Sequence, residues 1–110
     1  MGSMVISIWN SVMEIGYEQK TSFWMDFSIA DRFGDSAILD TYKRAFKEWK
    51  SEYEYLTELV LVLNRKCWEW YDKGNQKRSE LYSDLYYKAS SYAMNHLKGE
   101  ELDYYFNVTD

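Results

Sequence analysis

The chain contains no proline and only one cysteine, Cys67, among its 110 residues. Because proline breaks helices and is frequent in loops, its absence is typical of long helices joined by short connections. A single cysteine cannot form an intramolecular disulfide, which favours a reducing cytoplasm. No stretch approaches the roughly 18 apolar residues of a membrane-spanning helix, so we expect a cytoplasmic protein with no membrane contact.

The chain also has fewer basic than acidic side chains. The sequence has 13 basic and 18 acidic side chains, for a formal net charge of −5. Proteins that bind nucleic acids directly gain affinity by neutralising phosphates with Lys and Arg, so we do not expect direct nucleic-acid binding. An acidic protein is better matched to a partner protein with a basic surface.

Apolar residues recur at helical spacing along nearly the whole chain, and no stretch alternates as a strand would. This pattern predicts helices over about 5–15, 23–33, 36–49, 56–73 and 76–97, a further turn near 102–106, and a frayed tail over 107–110. Residues 1–4 read as a remnant of cloning that ends at a native start, so 5–106 form one helical domain. Whether a helix continues through 51–55 is left open.

The fourth predicted helix carries the strongest pattern. Its apolar positions follow a 4-3-4-3 spacing at Leu56, Val60, Leu63, Cys67 and Trp70. Further apolar residues widen this arc, which indicates a central helix with neighbours on several sides. Because short connections make antiparallel neighbours, the sequence predicts an all-α fold, a compact bundle of four to five helices.

No set of residues suggests catalysis, a metal site or a cofactor. His96 is the only histidine and falls near a helix end, where a partial positive charge is favourable. Cys67 lies on the apolar stripe and is expected to pack there. Asp31 and Asp35 straddle a glycine; we interpret Asp35 as a helix-terminal charge and Asp31 as a partner of Arg32 or of a nearby lysine. The chain is therefore not expected to be an enzyme.

The densest basic cluster falls on the third predicted helix and allows two interpretations. It is either the solvated face of an amphipathic helix or a site for a nucleotide-like anion. The candidate anion-binding residues are Lys43, Arg44, Lys47, Lys50 and Arg65, with Lys66 beside them.

Aromatic residues make up 19% of the chain, including 11 tyrosines. Adjacent residues on a helix point about 100° apart, so one ring of Tyr86–Tyr87 and one of Tyr104–Tyr105 should face outward. Tyrosine and tryptophan are enriched in binding hot spots. The candidate partner-binding residues are Tyr86, Tyr87, Tyr104 and Tyr105, together with the acidic Glu52, Glu54 and Glu58.

Several segments of the sequence resemble a family of small phage and prophage proteins from gut and other low-GC Gram-positive bacteria. They are Phe23–Gly34, Ala37–Tyr42, Arg44–Lys50, Tyr55–Val60 and Leu97–Leu102, which together span most of the chain. No chemistry is assigned to these motifs, so the resemblance implies a setting and no functional residue. Small phage proteins of this kind often bind host machinery in the bacterial cytoplasm, including CRISPR nucleases and other defence systems.

Two hypotheses follow. The leading one is a non-enzymatic phage accessory protein that binds a host protein, for example a CRISPR-type defence component, and inhibits or redirects it. Its acidic, aromatic-rich surface would occupy a basic groove on the host protein. The alternative is a homo-oligomer that sequesters a small anionic, nucleotide-like ligand through its basic cluster.

Overall fold

The structure, a computed structural model, describes residues 23–109; the helix predicted over 5–15 and the expected cloning remnant at 1–4 lie outside this range. The described part of the chain forms an all-α bundle of five helices with short connections, as the sequence predicts. The helices are α1 (Phe23–Phe33), α2 (Asp35–Trp49), α3 (Tyr53–Asp72), α4 (Gln76–His96) and α5 (Glu100–Thr109).

A single glycine separates α1 from α2. Gly34 has a φ of 114°, a conformation that L side chains rarely adopt, and it serves as the N-cap residue of α2. Asp35 is therefore the first helical residue, and no side chain caps this helix. Its carboxylate adds favourable charge to the first turn, as we predicted from the sequence.

The stretch that the sequence left open contains a helix break. Glu52 is the N-cap residue of α3 with an extended backbone, so α2 and α3 are separate helices. The next connection turns at Gly74, whose φ is 83°. Asn75 then caps α4 through its side-chain oxygen, which accepts a hydrogen bond from the Arg78 backbone N–H at 3.1 Å.

Helix α3 is the central helix, and it packs against each of the other four. The predicted apolar stripe is confirmed, because Leu56, Val60 and Leu63 are each at most 1% exposed. Cys67 continues this stripe half-buried, with its Sγ 3.4 Å from the Ser79 hydroxyl. Fully buried residues from the neighbouring helices complete the core; among them are Phe27, Ile38, Tyr82, Leu85 and Ala89.

Helix α5 is longer than the single turn that the sequence predicts, and it folds back onto α3 and α4. Tyr105 is buried at 2% exposure, and its hydroxyl lies 2.6 Å from the Ser90 hydroxyl. The helix continues to Thr109, so 107–109 are helical where a frayed tail was expected. Within residues 23–109, no helix is long and apolar enough to cross a membrane.

Candidate interaction surfaces

A buried ammonium group joins α1 to α3. Lys66 is only 1% exposed, although lysine is almost never fully buried without a partner. Its Nζ donates hydrogen bonds to Asp31 Oδ2 at 2.9 Å and to Ser28 Oγ at 2.8 Å. Glu69 Oε1 lies 3.1 Å away, as an ion pair without hydrogen-bond geometry. We call these four residues the Lys66 cluster.

Helix α4 also donates hydrogen bonds to Asp31. The buried Tyr82 donates its hydroxyl proton to Asp31 Oδ1 at 2.5 Å. Burial and this hydrogen bond to a carboxylate raise the pKa of Tyr82 far above its ordinary value. Arg78 donates to the Asp31 carbonyl oxygen at 2.9 Å and to Asp35 Oδ1 at 3.0 Å. The C-terminal end of α1 is therefore fastened to two helices.

The Lys66 cluster bears on two sequence-based expectations. Lys66 does not belong to an exposed basic cluster. Of the two partners expected for Asp31, the structure shows a lysine and not Arg32, but this lysine is distant in the sequence and buried. The spacing of the sequence already indicated that Lys66 is buried. It lies four residues after Val62 and three after Leu63, which places it on the apolar arc of its helix. The Trp24 ring also lies over the ammonium at 4.1 Å. We infer that this cluster is structural.

Carboxylates and tyrosines gather where the N-terminal turn of α3 meets α5. The rings of Tyr53 and Tyr104 make an edge-to-face contact with centroids 5.2 Å apart. Burial raises the pKa of Tyr104, and the charges of Glu54 and Glu58 raise it further. We call these four residues the acidic patch. The structure thus brings together three predicted partner-binding residues, and a fourth, Glu52, is exposed immediately before Tyr53.

Large apolar side chains lie exposed on α3, α4 and α5. On α3, Trp68 is 57% and Tyr71 61% exposed, and their rings contact each other with centroids 5.6 Å apart. On α4, Tyr87 and Met94 are exposed, and Phe106 follows on α5. We call these five residues the aromatic face. It includes one predicted partner-binding residue, Tyr87, and the other four residues were not among the candidates chosen from the sequence.

Two open clefts lie along α4, the first beside its N-terminal half and the second beside its C-terminal half. The first, of about 380 Å³, lies between α3 and α4 and has Trp68, Tyr71 and Glu80 in its lining. The second, of about 230 Å³, lies between α4 and α5, with Tyr87 and Phe106 in its lining. Aromatic walls around concave surfaces are typical of binding sites.

The adjacent tyrosine pairs divide as the helix geometry predicts, with one correction. Tyr87 faces outward while Tyr86 is half-buried, with ring centroids 5.2 Å apart. Tyr104 is the outer member of its pair, and Tyr105 belongs to the core. Tyr105 is therefore not a surface residue of the described bundle, contrary to its place among the partner-binding candidates, because α5 packs this ring against α4.

The acidic patch and the aromatic face flank the same short helix. Tyr104 and Phe106 stand on either side of the buried Tyr105, and residues two apart on a helix point about 160° apart around its axis. Tyr104 contacts α3, whereas Phe106 lines the cleft against α4. One partner that wraps around α5 could therefore touch both surfaces.

The candidate anion-binding residues are all exposed, but the structure gives some of them other neighbours. Arg44 lines a cleft between α1 and α2 that also contains Asp26 and Asp40. Lys50 Nζ lies 5.7 Å from the centroid of the Phe46 ring. The remaining candidates are Lys43 and Lys47, one turn apart on α2, and Arg65 on α3. Their binding of an anion stays a prediction.

His96 occupies the last turn of α4, as predicted. Its ring stacks on Tyr92 with centroids 3.9 Å apart, and its Nδ1 lies 2.9 Å from the Tyr92 carbonyl oxygen. In the described range, no three His, Cys, Asp or Glu side chains gather as a group that could hold a metal ion.

Comparisons of the chain with protein-family models, with curated proteins and with solved structures found no match in any of the three.

Proposed function

We propose that this chain is a non-enzymatic phage accessory protein that binds a host protein and inhibits or redirects it, with a CRISPR-type defence component as the expected target class. The aromatic face is the observation that carries the binding part of this proposal. The phage setting and the class of target come from the sequence resemblance alone.

The aromatic face has the composition of a binding hot spot. Trp68, Tyr71 and Tyr87 are each more than half exposed, although such rings gain free energy when they leave water. Tryptophan and tyrosine dominate the few residues that carry most of the affinity in protein interfaces. The two clefts beside α4 would accept side chains of the partner, which gives the contact a shape as well as an apolar area.

The acidic patch adds a preference for the sign of the partner's charge. Glu54 and Glu58 lie beside Tyr104, and the whole chain carries a net charge of −5. Opposite charges across an interface accelerate encounter and exclude wrong partners more than they add affinity. A basic groove, such as one that normally holds nucleic acid, fits this surface.

The proposal is tested by substitution in the aromatic face. The tagged protein is purified gently from its natural type of host cell, as wild type and as the Trp68→Ser/Tyr87→Ser double variant. Hot-spot truncations cost about 2 kcal/mol or more, so we expect the affinity for the host protein to fall at least about 30-fold. Both side chains are exposed, so circular dichroism should show an unchanged fold. A complex of undiminished affinity would contradict the proposal.

Lys47→Glu is the matched control, because it changes an exposed residue of α2 outside both surfaces. We expect it to leave the host complex intact. The anion-sequestering alternative makes a different prediction. The purified protein would carry a ligand absorbing at 260 nm, and Lys47→Glu would abolish the binding of that ligand while the aromatic variant retained it. This result would replace the proposal.

Neutralising the acidic residues tests the second surface separately. The Glu52→Gln/Glu54→Gln/Glu58→Gln variant should associate more slowly with the partner and lose much of the salt dependence of association. Surface plasmon resonance at two salt concentrations measures both effects. An unchanged association rate at low salt would remove the acidic patch from the interface.

A further inference from the structure

The cleft between α3 and α4, which we call the α3–α4 cleft, is lined by an acidic residue and by no basic one. Trp68, Tyr71 and Glu80 share the lining with Cys67 and with uncharged polar side chains. The cleft between α1 and α2 is different, because its two carboxylates share it with Arg44. Among the described residues that line the α3–α4 cleft, Glu80 therefore supplies the one charged group.

The carboxylate of Glu80 is oriented without being neutralised. Its Oε2 accepts a hydrogen bond from Gln76 Nε2 at 3.0 Å, one turn earlier on α4. Within residues 23–109, no lysine or arginine forms an ion pair with Glu80. A negative charge without a partner thus lies in the wall of the α3–α4 cleft, where a cation from another molecule can reach it.

The aromatic walls of the cleft attract the same kind of group. The rings of Trp68 and Tyr71 are inclined at 81° to each other, so they form two nearly perpendicular walls of a corner. The face of an aromatic ring carries partial negative charge and attracts a cation within about 6 Å of its centroid. The corner and the carboxylate therefore favour the same occupant.

Other tryptophans of the bundle already hold a cation from their own chain. Lys66 Nζ lies 4.1 Å from the centroid of the Trp24 ring, and Arg78 Cζ lies 4.7 Å from that of Trp70. Over the part of the chain that the structure describes, no lysine or arginine lies over the ring of Trp68. The Trp68 ring is thus open to a cation from a partner.

We propose that the α3–α4 cleft binds an arginine side chain of the protein partner, with the guanidinium against the corner of Trp68 and Tyr71 and paired with the Glu80 carboxylate. This inference rests on the proposed function, because it names the group of the partner that enters the aromatic face. Charge complementarity identifies the occupant. An acidic side chain would be repelled by Glu80, and an apolar one would bury that carboxylate without a partner.

Arginine fits this cleft better than lysine does. A guanidinium is planar and stacks on aromatic rings, and its fork of N–H donors matches a carboxylate. It is also more weakly hydrated than an ammonium group, so it loses less when it leaves water. We therefore expect the cleft to prefer arginine over lysine.

The first test uses the purified full chain without any host protein. A capped glycine–arginine–glycine peptide is titrated into the ¹⁵N-labelled protein at constant ionic strength, because salt screens exposed charges. We expect saturable shifts of the Trp68 indole N–H and of the Glu80 backbone N–H, with a dissociation constant on the order of 1–10 mM. Peptides with citrulline, which has the same shape but no charge, or with lysine should bind more weakly. Equal binding of either peptide would overturn the proposal.

Substitutions then assign the binding to this cleft. Glu80→Gln removes the charge, and Trp68→Leu keeps an apolar side chain but removes the ring face. Each should raise the dissociation constant of the arginine peptide at least about threefold. Asp84→Asn is the matched control, because it removes the same charge from an exposed position of α4 outside the cleft and should leave the constant unchanged. A Glu80→Gln variant that binds like the wild type would overturn the proposal.

The host complex separates this inference from the proposed function. Glu80→Lys places a cation in the cleft and should lower the affinity for the host protein at least about tenfold. A host complex that is lost in Trp68→Ser/Tyr87→Ser but unchanged in Glu80→Lys would overturn the arginine contact and leave the proposed function intact. Arginine-peptide binding by a chain that forms no host complex would contradict the proposed function and support the preference of the cleft.

Discussion

The buried pair of Lys66 and Asp31 gives the sharpest prediction about stability. The two charged groups are 2.9 Å apart, and their side chains are 2% and 9% exposed. Removing one partner of a buried pair leaves an uncompensated charge and typically costs about 3–5 kcal/mol. Lys66→Met keeps the length of the side chain and removes the charge. We therefore expect it to lower the free energy of unfolding by about 3 kcal/mol or more.

Substitutions of Asp31 should separate the charge from the hydrogen bonds. Asp31→Asn keeps an oxygen that can accept the Tyr82 hydroxyl, whereas Asp31→Ala leaves that buried hydroxyl without its acceptor. An unsatisfied buried group costs about 1–3 kcal/mol, so Asp31→Ala should be the less stable of the two by roughly that amount. The Asp31→Leu/Lys66→Met double variant removes both charges and should be far more stable than the sum of single effects implies.

Urea unfolding followed by far-ultraviolet circular dichroism measures these differences in the full chain. Arg65→Met is the matched control, because Arg65 is the exposed neighbour of Lys66 on the same helix. It should change stability by less than about 0.5 kcal/mol. A Lys66→Met variant within about 1 kcal/mol of the wild type would refute the assignment of this cluster as the fastening of α1.

Three further predictions concern pH and local structure. Burial opposes ionisation of Glu69, but the hydrogen bond from Lys73 and the positive charges of Lys66 and Lys73 outweigh it and lower the pKa of Glu69 below the ordinary 4.5. The contribution of Glu69 to stability is therefore present above that pH and disappears on acidification. Glu69→Gln should therefore lose less stability than the wild type as pH falls through and below 4.5, and parallel pH profiles would contradict this. Tyr105→Phe removes the hydroxyl that is hydrogen-bonded to the buried Ser90 hydroxyl on α4. It should lower the free energy of unfolding by about 1–2 kcal/mol, measured by urea titration. An unchanged free energy of unfolding would contradict this hydrogen bond. Gly74→Ala places a side chain on a residue with positive φ, which costs about 1 kcal/mol. The midpoint of thermal unfolding should therefore fall by several degrees, and an unchanged midpoint would contradict the turn geometry.

The helical architecture could be predicted because it is local. The 4-3-4-3 apolar spacing of α3 needs no knowledge of its neighbours, and glycines such as Gly34 and Gly74 mark the turns. The helix break before Tyr53 could not be decided, since no glycine or proline marks it.

The site was harder to predict because it depends on contacts between distant parts of the chain. Lys66 is 35 residues from Asp31 in sequence, and only the packing of α1 on α3 makes its burial tolerable. Likewise, the roles of Tyr104 and Tyr105 depend on which side of α5 meets α4. The exposure of Trp68 likewise depends on how α3 packs against α4, which the spacing of residues along α3 does not reveal.

Native mass spectrometry of the tagged full chain, purified gently from its natural type of host, tests the central claim most directly. The account predicts a stoichiometric complex with one host protein for the wild type, and loss of that complex for Trp68→Ser/Tyr87→Ser. A wild-type protein that carries only a small anionic ligand, or a host complex that survives both substitutions, would contradict it.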